Sequence, residues 1–228
     1  MKQLAIFLLI AFSANSAYSQ KSGFTIPDYH LIKSEIQDSA SIFYYPNLLS
    51  RLNTFDTTLT NQDYRHLYYG YLFQEKYEPY WMSPYEEELS KYYQSRKIKE
   101  KDYDKIIELA THSINDFPFD LRQLNFLSYT YHLKGDEETA KKIAARFTGT
   151  LDAIMSSGNG ETCETGYHVI SVSHEYVILR MFQFQIKSQA LTGDCDYFRI
   201  ERDGRNIDRL YFNIKQLFSR NAEKFETE

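Results

Sequence analysis

Across residues 101–158, apolar side chains recur at helical spacing in three successive runs, and the pattern returns after 34 residues. KDYDKIIELATHSINDFP carries Ile106, Ile107, Leu109, Ala110, Ile114 and Phe117, and it ends before Pro118. FDLRQLNFLSYTYHLKGD places Leu121, Leu124, Leu127 and Tyr131 on one face. Phe126 and Leu133 widen that face, and Gly135 stops the helix as a C-cap does. DEETAKKIAARFTGTLDAIMSSG opens with acids at the positive end of a helix. It then lays Ala140, Ile143, Ala144, Phe147, Leu151 and Ile154 along one stripe before Gly158. On the repeat shift Asp102 falls on Asp136, Ile106 on Ala140 and Ala110 on Ala144. A chain with this pattern is bound to stack helical hairpins.

Such a period is that of the tetratricopeptide repeat, and residues 121–152 resemble one unit of it. Leu124, Leu127, Ser128 and Tyr131 take the first-helix positions, Gly135 and Asp136 the turn, and Ala140 the small residue that lets two helices approach. In the preceding stretch, residues 87–120, the second helix fits the unit through Pro118. The first helix departs, with Ser90, Tyr93, Gln94 and Lys97 in its place. A plain array of hairpins with coincidental spacing is the other reading. A solenoid needs about three repeats to bury a continuous core, so something else must cap this one. The N-terminal segment offers that cap. Pro27-Asp28 opens a helix, Pro46 stands in the first turn of another, and Thr60 with Asp63 makes an acidic capping box for a third.

Toward the C-terminus the period changes from helical to alternating. Phe182 to Lys187 reads as a half-buried strand, with weaker strands at residues 195–201 and 210–215 joined by a turn at Asp203-Gly204. The expected fold is mostly α, α+β overall, with tetratricopeptide-like hairpins over residues 20–180 and a small antiparallel sheet over 181–218. A polar, frayed tail occupies 219–228. At the other end, Lys2, the apolar run of residues 4–12 and the small residues of Ala17-Tyr18-Ser19 have the order of a secretory signal over residues 1–19. That run is too short to cross a bilayer, which takes about 20 residues. The mature chain is expected to be exported, periplasmic or secreted, with no membrane span once the signal is cleaved.

The net charge of −5 argues against a nucleic-acid partner, which demands concentrated positive charge. The one basic cluster, Arg96, Lys97, Lys99 and Lys101, is interrupted by Glu100. Two cysteines, Cys163 in GETCETG and Cys195 in TGDCDY, stand in glycine-flanked turns. In an oxidising compartment they form either a disulfide or two separate thiols.

The stretches PDYHLIKSEIQDSASIFYYPNLLSRLNTFDTTLTNQDYRHLYYGYLFQEKY, FDLRQLNFLSYTYHLKGDEETAKK, HVISVSHEY and GDCDY carry a family resemblance. The chain resembles an exported Bacteroidota family of unknown function, domain-of-unknown-function family 4919, over nearly all of its mature length. The resemblance implies a bacterial envelope protein. It assigns no activity and no catalytic residue.

The residues themselves offer three candidate sites and no catalytic signature. Tyr64, Leu67, Tyr68 and Tyr71 share one helical face and read as core. Tyr77, Tyr80, Trp81 and Tyr85 fall in a proline-punctuated loop, where aromatic rings either pack or stack on a glycan or partner peptide. His168, His174 and Glu175 bring two imidazoles and a carboxylate close in sequence. On a strand the histidines share a face and are candidate zinc ligands. If Ser173 instead caps a helix, His174 is an exposed first-turn residue. Tyr129 and His132, off the core face of the best repeat, are the candidate contacts for an envelope protein or peptide partner. No GxSxG elbow, cysteine–histidine signature or phosphate-cradling loop is present, and no cofactor is implied. A non-enzymatic helical-repeat binding or scaffold protein is the leading expectation. A glycan-binding accessory is the alternative, and a hydrolase with carboxylates dispersed along the chain is the weaker one.

Overall fold

The computed structural model describes residues 23–226 except 94, 96 and 202–206, with side chains as far as residue 220. The leader expected over residues 1–19, Arg96 and the turn expected at Asp203-Gly204 lie outside the described residues. Three N-terminal helices come first, α1 (Tyr29–Gln37), α2 (Tyr45–Asn53) and α3 (Asn61–Gly70). Local chemistry starts each one. Asp28 accepts the Leu31 amide at 3.0 Å, and Pro46 occupies the first turn of α2. Thr60 and Asp63 close a reciprocal capping box on α3.

Four helices follow, α4 (Glu86–Tyr93), α5 (Tyr103–Asp116), α6 (Leu121–Lys134) and α7 (Glu137–Met155), each packed against the next. Gly135 ends α6 in the left-handed conformation at φ 85°, and Asp136 caps α7 by accepting the Thr139 amide. Two apolar clusters hold the stack. One joins Leu89, Ile106, Leu109 and Phe126, and the other joins Ala110, Ile114, Leu124, Leu127 and Ile143.

 Across the α4–α6 contact, Gln123 donates to Glu86 at 3.1 Å and Arg122 pairs with the same carboxylate.

The largest core lies elsewhere, between α1–α3, the C-terminal half of α7 and the sheet. That sheet has four strands in the order β1-β4-β3-β2, where β1 is Tyr167–His168, β2 Ile186–Thr192, β3 Cys195–Ile200 and β4 Arg209–Asn213. The β2–β3–β4 meander is antiparallel, but β1 pairs parallel to β4, so the sheet is mixed rather than antiparallel. β1 also lies within the span read from sequence as helical. At two residues it is too short to show any alternation.

The strand expected at Phe182 to Lys187 begins only at Ile186, as β2, because Phe182 to Phe184 close the end of α8 (Val172–Met181). The amides of Phe182, Gln183 and Phe184 fold back onto the Ile178, Arg180 and Leu179 carbonyls, with Gln183 at φ 57°. Closing the last helical turn in this way takes the first half of the alternating stretch out of the strand. The polar tail also departs from expectation, because α9 (Lys215–Glu226) runs through it. Leu217 of α9 is fully buried, and the Arg220 guanidinium donates to the Leu72 carbonyl at 2.9 Å. A disulfide joins Cys163 to Cys195, with Cα atoms 5.7 Å apart, and fastens the loop before β1 to the first residue of β3. Among the described residues no helix is long and apolar enough to cross a membrane.

Candidate functional site

The tyrosines of α3 act as polar pins through the large core. Tyr68 and Tyr69 are fully buried, and each phenol reaches a partner far along the chain. Tyr69 donates to the Ala153 carbonyl at 3.0 Å. His174 Nε2 lies 2.9 Å from the Phe119 carbonyl and therefore carries the proton, which leaves Nδ1 to accept from Tyr68 at 2.7 Å. The Tyr68 oxygen in turn accepts the Ile170 amide at 3.2 Å. Tyr77, read from sequence as a loop ligand residue, belongs to the same set. It is 1% exposed and donates to the Ile170 carbonyl at 2.9 Å. A buried phenol needs an acceptor, and the segment between β1 and the next helix supplies it.

The structure does not assemble the histidine–carboxylate cluster as a metal centre. Ser171 rather than Ser173 caps α8, so His174 enters the core instead of standing exposed in a first turn, and both of its ring nitrogens are engaged. His168 Nδ1 meets Tyr29 at 2.9 Å. Burial pushes both imidazoles down to about 4, so they are neutral at pH 7. Among the described residues no three His, Cys, Asp or Glu side chains converge as a metal ion requires.

Glu175 faces Asp196 of β3 instead. Burial first, then the Asp196 charge, pushes the Glu175 carboxyl up to about 9. Burial without a cation beside it disfavours the charged form, so Glu175 carries its proton at pH 7. Both Glu175 oxygens are buried with no hydrogen-bond partner among the described residues, and the residue is 0% exposed. The pair is a seam between α8 and the sheet, out of reach of a substrate.

The remaining loop aromatics do not form a shared platform. Trp81 is half-buried against Phe117, with ring centroids 5.1 Å apart, and Tyr85 stacks on His112. Tyr80 is 56% exposed. On α6, Tyr129 packs against the Leu89 cluster and His132 bonds Glu137.

A cleft of about 150 Å³ does open where the end of α2 meets α5, α6 and α7. Ile114, Leu127, Ile143 and Phe55 give it apolar walls. Asn53, Thr111, Asn115, Tyr131, Thr139 and Arg146 give it polar ones. Tyr131, expected in the core, is half-buried and lines this cleft while also touching the Leu124 cluster. Phe55 holds a left-handed backbone at φ 55°, uncommon for a bulky residue, and its ring lies under the Arg146 guanidinium at 5.9 Å.

Arg146 is the chemical centre of the cleft. It is 3% exposed, and its Nε and Nη2 both donate to the Pro118 carbonyl, at 3.2 and 2.8 Å. Nη1 has no acceptor among the described residues, and no carboxylate faces the group. Burial lowers its pKa to about 10, so it stays cationic at pH 7, while the Tyr64 and Tyr45 phenols beside it are pushed up by burial and neutral there. The Tyr45 hydroxyl is itself buried without a partner. A desolvated cation with no counter-charge costs several kcal/mol. One sequence signal marks it: Arg146 stands three residues after Ile143 and four before Thr150, on the buried stripe of α7.

Comparison with protein families finds one model, described as "Domain of unknown function (DUF4919)", that matches residues 30–223. No curated protein and no solved structure matches the chain.

Proposed function

The chain belongs to the DUF4919 family of unknown function, and from that premise we propose that it is an exported, non-enzymatic binding protein of the bacterial envelope. Its helical stack holds a protein or peptide partner in the cleft between α2 and α5–α7. The observation that carries this reading is Arg146, a buried cation left without a counter-charge at the wall of an open cleft. Folding would not retain such a group at no return, and a ligand that supplies the missing partner accounts for it. The Cys163–Cys195 bridge supports export, because disulfides persist in oxidising compartments.

The test is site-specific photo-crosslinking in envelope from the native host. A crosslinking residue in place of Asn115, at the cleft, is expected to trap one protein. The same residue in place of Tyr129 or His132, outside the cleft lining, is expected to trap less of it. Equal capture from all three positions, or none at Asn115, refutes the cleft as the binding site.

A further inference from the structure

We propose that the Arg146 cleft is an anion subsite that takes the carboxylate of an aspartate or glutamate side chain from a peptide segment of the partner. This inference rests on the binding reading above and adds the chemistry of the anchoring group.

Size is the first argument. Sites for whole small molecules run from about 300 Å³ upward, and this cleft has about half that volume. It suits one end group of a larger partner. Charge is the second. The site holds one buried cation and no acid, so a monoanion neutralises it. A phosphate dianion would need a second cation, and the nearby lysine of α7, Lys142, is held by Glu138 at 2.7 Å.

Donor geometry is the third argument. The Pro118 carbonyl occupies Nε and Nη2, which fixes the guanidinium plane and leaves Nη1 to bond an incoming oxygen. Asn53 and Asn115 offer side-chain amides for a second oxygen, and neither side chain is committed to another bond. The walls match the ligand too. Ile114 and Ile143 cover the methylene stem of an acidic side chain, while an inorganic anion gains nothing from them. Because the protein is acidic overall, with a net charge of −5, long-range attraction does not bring an acidic partner in. Recognition depends on the local, desolvated charge, which salt screens weakly.

The experiment uses the purified chain, labelled for amide NMR. Acetylated and amidated pentapeptides with a central Glu, Asp, Gln or Asn are the probes, so that no terminal charge contributes. Acetate and inorganic phosphate are run beside them. The Glu or Asp peptide is expected to shift amides around residues 111–115 and 139–146. The Gln and Asn peptides are expected to bind at least about tenfold more weakly, as the loss of one charge-assisted hydrogen bond implies. Asn115→Ala, at an exposed position that leaves the core intact, should weaken the acidic peptide while leaving the thermal midpoint unchanged. Arg146→Lys should weaken it further.

Equal shifts from the Glu and Gln peptides overturn the proposal, as do shifts from phosphate alone. Failure of this inference is distinguishable from failure of the binding reading. If the partner still crosslinks at position 115 but its capture is indifferent to Asn115→Ala and to neutralising its acidic side chains, the cleft binds by apolar contact and the anion subsite is wrong.

Discussion

At the scale of single residues, Gly149 shows how tightly α3 and α7 are fitted together. A Cβ built there would lie 2.2–2.5 Å from the ring of Tyr64, far inside contact distance. That ring is anchored by its hydroxyl on the Ala145 carbonyl at 3.4 Å, so it has little room to retreat. Gly149→Ala is therefore expected to destabilise the fold by about 1–3 kcal/mol, the usual cost of overpacking a core. Denaturant unfolding reads this directly. Tyr64→Leu on the Gly149→Ala background should recover part of the loss, and simple additivity of the two substitutions would show that the clash is not the cause. Nothing in the sequence around Gly149 announced this contact, since a mid-helix glycine reads as a weak point until the facing helix is known. Arg146 was legible in part, because a charged residue on a buried stripe is anomalous, but its lack of an acid partner is a property of the assembled helices. Tyr77 misled for a related reason. Its proline-flanked setting looks exposed, while its acceptor, the Ile170 carbonyl, is 93 residues away.

At the scale of elements, what could be read ahead was what local chemistry decides. The capping box at Thr60, the left-handed stop at Gly135 and the acid-capped start of α7 all stand where side chains of the same segment put them. The parallel pairing of β1 with β4 depends instead on contacts between distant segments, and the turn after α8 imitated a strand because helix closure and alternation share the same few residues. The disulfide acts on this non-local part of the fold. It ties the loop before β1 to β3 across a sequence separation of 32. Its removal should cost about 3–4 kcal/mol by the loop-entropy argument. We expect reductant, or Cys163→Ser with Cys195→Ser, to lower the unfolding midpoint. In hydrogen exchange the loss of protection should concentrate in β1, β3 and β4 rather than in α5–α7. Uniform loss across both regions would mean that sheet and helical stack unfold as one cooperative unit.

At the scale of the whole molecule, the buried ionisable groups set opposing limits on stability. His168 and His174 sit at about 4 in the folded chain, below the ordinary 6.5. The unfolded chain takes up their protons first, so the stability they confer is present above pH 6.5 and is lost as pH falls toward 4. Glu175 works in the opposite sense. Its carboxyl is at about 9 against an ordinary 4.5, so its contribution is complete below pH 4.5 and is lost as pH rises toward 9. Asp120, buried at the start of α6 and raised to about 6, adds to the same decline over the lower part of that range. The two histidines balance the two carboxyls between pH 4.5 and 6, outweigh Glu175 alone from 6 to 6.5, and give way to it above, so stability from these groups should peak near pH 6.5. Each proton involved changes stability by at most about 1.4 kcal/mol per pH unit. Glu175→Gln keeps the shape of the side chain and removes the titration. It should match the wild type near pH 4, exceed it at pH 8 and flatten the curve between pH 7 and 9. Parallel curves for the two proteins across that alkaline range would show that Glu175 does not carry a proton in the fold, and that the seam between α8 and β3 is held by another arrangement.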